Sequence, residues 1–169
     1  MTGPLFAAVI GRELRALERE LNAYQTEDQV WLLPPGLPNS GGTLALHASG
    51  NLQHFIGAVL GGTKYVRDRD AEFQRRDVPR SQLIEDLHRA DSVVRETLDR
   101  LDPSALAGPY PIPVANRRLD TGDFLMHLVA HLAYHMGQVD FHRRIVTGDA
   151  TGVGAVSPLE LSSARAIQE

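Results

Sequence analysis

The stretch "TGDFLMHLVAHLAYHMGQVDFHRRIVTG", residues 121–148, decides the fold. Its apolar residues recur at helical spacing, Asp123 lies in the first turn, and Gly148 follows as a stop. It reads as one long helix opening at Asp120 or Thr121 and running to about Val146. It also holds four of the chain's seven histidines, so one segment carries both the longest helix and the densest chemistry.

Three more helices are expected upstream. In the first, Leu5, Phe6, Val9, Ile10, Leu14, Leu17, Leu21 and Tyr24 form one stripe, and it stops before Pro34, Pro35 and Pro38. The second runs from about Thr43 to Leu60 and ends at Gly61-Gly62. Gly50 and Gly57 weaken it intrinsically, which suggests that a neighbour packs close against them. The third runs from a Ser81 cap through Leu83, Leu87, Val94 and Leu98 to Leu101. No segment has a strand pattern. Four long amphipathic helices predict an all-α protein, a four-helix bundle.

Two connections are long. Residues 61–80 are rich in both charge signs and read as a solvated surface loop rather than a substrate lid; residues 102–119 are rich in proline. Such crossovers can join parallel neighbours, so the order need not be up-down-up-down. The bundle is expected to occupy residues 1–150 as a single domain. Residues 151–169 form a loosely held tail with room for a short helix after Pro158.

Composition narrows the function. Of 169 residues, 43% are hydrophobic and 22% charged, ordinary for a globular domain. A net charge of −4 argues against a nucleic-acid partner. No apolar run approaches the ~20 residues that span a bilayer, and the N-terminus lacks the basic start of a secretory signal, so the cytoplasm is the expected compartment. There is no cysteine, so any thiol chemistry needs an external thiol.

His131 and His135, four apart on a helix, are neighbours on one face and can offer nitrogens to one ion. Leu132, Ala133 and Tyr134 between them exclude the H-E-x-x-H protease motif. A catalytic zinc takes three protein ligands and leaves one position open. The third can come from the second helix, where His47 and His54 lie seven apart on one face. His127, His142 and His88 read as hydrogen-bonded core residues or as exposed ones. Asp123 and Asp140 are poorly placed as a general base, Gln138 and Asn51 are candidates to orient imidazoles, with Gln138 equally readable as a helix–helix packing contact, and Tyr134 reads as core or dimer interface.

"HASGNLQHFIGAVLG" and "HLVAHLAYHMGQVDFHRRIVTG" together resemble the DinB/YfiT-like superfamily. There a helix-two histidine in an H-L-x-x-N/E context joins an H-x-x-x-H pair whose second member precedes x-G-Q, as His135-Met136-Gly137-Gln138 does here. Ala48 departs from the usual leucine. The resemblance implies a metal triad of His47, His131 and His135, with His54 as the alternative or additional ligand. It further implies a bundle with long crossovers, frequent homodimers, and a divalent ion such as zinc, nickel or manganese. The expected function is a metal-dependent transferase of low-molecular-weight thiols, or a hydrolase, acting on a small molecule. The alternatives are a non-catalytic metal- or ligand-binding, stress-related bundle or dimerisation module, and a histidine-decorated bundle without metal.

Overall fold

The computed structural model describes residues 2–167; Met1 and the last two tail residues lie outside them. Helix α1, Gly3–Asn22, starts with Pro4 in its first turn and buries Phe6, Ile10, Leu14, Leu17 and Leu21 along one stripe. Helix α2, Gly41–Leu52, is capped by the Ser40 hydroxyl, which accepts from the Thr43 amide at 3.2 Å. All twelve of its residues are buried, so it is the central helix of the molecule. It continues through Gln53–Leu60 as a π-helical run. A short helix α3, Arg69–Gln74, interrupts the charged connection, its Asp68 cap accepting from the Ala71 amide at 2.9 Å. Helices α4, Arg80–Asp99, and α5, Thr121–Thr147, complete the set; Gly148 closes α5 in the left-handed region at φ 70°.

The start of α4 differs from the expected Ser81 cap. The helix begins at Arg80, and its amide is accepted by the Glu27 carboxylate at 2.8 Å. The capping group therefore comes from far upstream, out of reach of a local reading. Among the described residues there is no strand, only two isolated bridges in the segment before α5.

Pairs of touching residues fix the arrangement of the four long helices. Gly3 lies against Leu98 and Glu18 meets His88, so α1 and α4 run antiparallel. Glu20 meets Arg143 and Tyr24 meets His142, so the C-terminal ends of α1 and α5 lie together and the two are parallel. Ser49 bonds the Asp86 carbonyl and Gly57 faces Val93, making α2 and α4 parallel. His47 faces His131 and Phe55 faces Phe124, making α2 and α5 antiparallel. The order is up-down-down-up, with α1 and α2 each packed between α4 and α5. The 61–79 connection is the crossover between parallel neighbours that its length suggested.

Gly57 lets α4 approach, since a Cβ there would run into Val93. Gly50 has another neighbour: a Cβ would strike the Glu72 carboxylate. The charged connection is thus not merely solvated, because α3 drops Glu72 into the interior against α2, where it is 6% exposed. At the other end, Arg143 is fully buried. Its Nε donates to Glu20 at 2.8 Å, and its terminal nitrogens donate to the Asp149 and Thr151 carbonyls, both at 2.7 Å. Arg15 and Arg19 hold Glu160 in the Pro158–Glu160 turn, and Arg19 also donates to the Val153 carbonyl at 2.9 Å. The tail to residue 160 is strapped to α1 rather than loose.

Candidate metal centre

The four-residue spacing on α5 stacks His131 and His135 on one face, and α2 brings His47 against them from the antiparallel direction. The Nε2 atoms of His131 and His135 are 3.1 Å apart, and those of His47 and His131 are 3.4 Å apart. The ligand atoms of all three lie within 4.8 Å of one another. Two nitrogens on one tetrahedral zinc, at the usual Zn–N length, are about 3.3 Å apart. The spacing fits.

The outer nitrogens determine what the inner ones can do. His47 Nδ1 is 2.9 Å from Glu72 Oε2, and His135 Nδ1 is 2.7 Å from Gln138 Oε1. Both partners are acceptors, so each Nδ1 carries the proton and donates it. Each Nε2 is then a bare lone pair aimed at the same point. Both face His131 Nε2, at 3.4 and 3.1 Å, and with at most one N–H there His131 can satisfy only one of them, so at least one lone pair is left unmet unless a cation lies between the rings.

Electrostatics favour the neutral form of His131 and His135. Burial, and after it the neighbouring His135, His47 and His127 rings and the Arg67 guanidinium, bring the His131 pKa down to about 4. Burial also lowers His135, against an opposing bond to Gln138. Glu72 behaves differently. Burial alone would raise it, but the bonds from Arg67 and then His47 outweigh burial and hold the carboxyl below its usual range. Arg67 donates to both Glu72 oxygens, at 2.7 and 2.8 Å, and its Nη2 lies 3.3 Å from His47 Nδ1.

The other candidates divide cleanly. His54 is outside the group: two helical turns set it about 10.5 Å along the axis from His47, and it packs edge-on to Phe55. His142 is a bonded core residue, its Nδ1 accepting from the Tyr24 hydroxyl at 2.7 Å and its Nε2 donating to the Leu32 carbonyl at 2.8 Å. His88 is exposed beside Glu18, and His127 is exposed and stacked on Phe124. Gln138 does orient an imidazole. Asn51 is buried but bonds none of the three rings. Tyr134 is not core, being 65% exposed. Asp140 is occupied by Arg143 and Arg144. Glu72 and Arg67 are the partners that sequence reasoning missed. The one signal for them was Gly50, one turn beyond His47, leaving room on that face.

Three imidazoles gathered from two antiparallel helices define an all-helical protein with a group able to hold a metal ion. More particularly, the chain belongs to the family described as "Protein of unknown function (DUF1572)", which matches residues 10–154. No curated protein and no solved structure matches the chain. No helix is long and apolar enough to cross a membrane.

Proposed function

We propose that the protein is a metal-dependent enzyme of the DinB/YfiT-like kind, a four-helix bundle holding one divalent ion through Nε2 of His47, His131 and His135. The observation that carries this is the convergence of two lone pairs whose tautomers are set from behind by Glu72 and Gln138. The family's place in the DinB/YfiT-like clan supports it. An ion held by three protein nitrogens with one position open would lower the pKa of a coordinated water or thiol to near neutrality.

The chain's own residues have defined parts in this reading. Glu72 and Gln138 orient their imidazoles and make them better donors. Arg67 neutralises Glu72, so the buried carboxylate adds no net negative charge beside the ion. The low affinity of His131 for protons keeps it available as a ligand well below neutral pH. Among the described residues no fourth histidine or carboxylate joins the group, which favours an open site over a closed structural one. Without a cysteine in the chain, a thiol reaching the site comes from a small-molecule co-substrate.

The test is metal content by mass spectrometry on untagged protein after loading with zinc, nickel or manganese. The native chain and His54→Ala should hold near-stoichiometric metal, and His47→Ala and His135→Ala should lose it. Substoichiometric metal, indifferent to all three substitutions, would remove the reading. In the cobalt-loaded protein, an added thiol should shift the visible absorption if a position is open; an unmoved spectrum would favour a closed, non-catalytic ion.

A further inference from the structure

One turn along the α2–α5 groove from the imidazoles lies a cavity of about 340 Å³. Leu37, Pro38 and Leu44 form one side; Tyr134 and Phe141 stand on the other. Small-molecule sites have this size and this largely apolar lining with a few polar groups.

Gly137 forms part of this cavity, in the middle of a 27-residue helix where glycine costs about 1 kcal/mol relative to alanine. A Cβ on Gly57 or Gly50 would collide with a neighbour, but one on Gly137 would meet nothing within 4 Å. The chain's own packing does not require this glycine. It leaves the cavity floor open. Tyr134 and Phe141 flank it on the same helix face and are 65% and 69% exposed, two large rings facing water unless something lies between them. The last feature is Gln138. The residue lines the cavity; its oxygen serves His135, and its amide nitrogen has no protein partner among the described residues.

We propose that this cavity binds a small neutral ligand: an aromatic or branched aliphatic group carrying a carbonyl or hydroxyl oxygen. The apolar part lies over Gly137 between Tyr134 and Phe141, and the oxygen accepts from Gln138. A ligand so held touches the residue that fixes the His135 tautomer and lies about one helical turn, ~5 Å, from the imidazoles. As a substrate subsite the cavity rests on the metal reading above; as a binding site it does not.

Prodan, a neutral naphthalene ketone whose emission shifts to the blue in apolar surroundings, tests this on the full chain, metal-loaded and metal-free. One saturable site per chain is expected in both forms. Gly137→Leu, whose Cβ would meet nothing within 4 Å, fills the floor and should weaken prodan binding at least tenfold, with metal content unchanged and a melting temperature no lower than that of the native chain. Phe141→Ser, a change at an exposed residue, should weaken it similarly. Absence of saturable binding, or native affinity in both variants, overturns the proposal. So does a Gly137→Leu protein that loses an oligomeric state by sedimentation while prodan is unaffected, because the face would then belong to a second copy. Prodan binding in a protein that takes up no metal would sink the metal reading and leave the cavity standing.

Discussion

Glu72→Gln tests the logic of the site directly. In the native protein the two Glu72 oxygens absorb three donors: Arg67 Nε, Arg67 Nη2 and His47 Nδ1–H. Glutamine has one oxygen and adds two N–H donors in the same buried space. The Arg67 guanidinium, already 3.3 Å from His47 Nδ1, then competes to donate to that nitrogen. If Nδ1 accepts, the ring proton moves to Nε2 and the lone pair facing the other imidazoles is lost. Loss of such a supporting partner typically costs 10- to 100-fold in metal affinity, about 1.4–2.7 kcal/mol. Competition against a chromophoric zinc chelator at pH 7 measures it. The paired change Arg67→Gln with Glu72→Gln removes the competing donor, so the amide oxygen can again accept from His47, and most of the affinity should return. Zinc affinity unchanged in Glu72→Gln would refute the reasoning, because the carboxylate would then have no hold on the tautomer.

Acid should destabilise the metal-free protein. His131 has a folded pKa of about 4 against 6.5 unfolded, so between these values the unfolded chain binds the extra proton. Stability is therefore highest above pH 6.5 and falls towards pH 4 by about 2–3 kcal/mol after allowance for partial exposure; urea midpoints from pH 7 to 4 should fall less in His131→Ala, and equal slopes would contradict this. Gly50→Ala adds a methyl group where the Glu72 carboxylate sits, so zinc affinity should drop at least as much as stability, which overpacking lowers by about 1–3 kcal/mol. Arg143→Ala leaves Glu20 buried without its partner and should cost about 3 kcal/mol in denaturant unfolding. Because Arg143 lies beyond the imidazole cluster, that variant should keep its metal; joint loss of stability and metal affinity would tie the two regions together.

The α5 helix and its two inward histidines were legible because everything they need is local: helical spacing, an acidic first turn and a terminal glycine. The third histidine was not legible from spacing. Counting turns puts His47 and His54 on one face of α2, and only the position of α5 across the groove, with the change to π geometry at Gln53, separates them. Resemblance had to choose His47. Glu72 and Arg67 were hidden for another reason. "RDRDAEF" reads as solvent-facing charge, and what buries Glu72 is a pair of partners from elsewhere in the chain, the Gly50 gap and the His47 ring. The Glu27 carboxylate that starts α4 and the Glu160 that fastens the tail share this character. Each is a charge whose partner is remote in sequence.

The up-down-down-up order has a consequence for how the protein comes into being. His47 and His131 are 84 residues apart, and the helices that carry them touch only once α5 has docked into the groove. Closing so large a loop is slow, and no local structure prepares it. During synthesis, a chain that has emerged only as far as α4 has one imidazole in place and nothing with which to chelate. If the three imidazoles hold a metal as proposed, its uptake would be a late event, and an occupied site would be the mark of a finished molecule. A pulse of chelator during refolding would time the docking of the last helix.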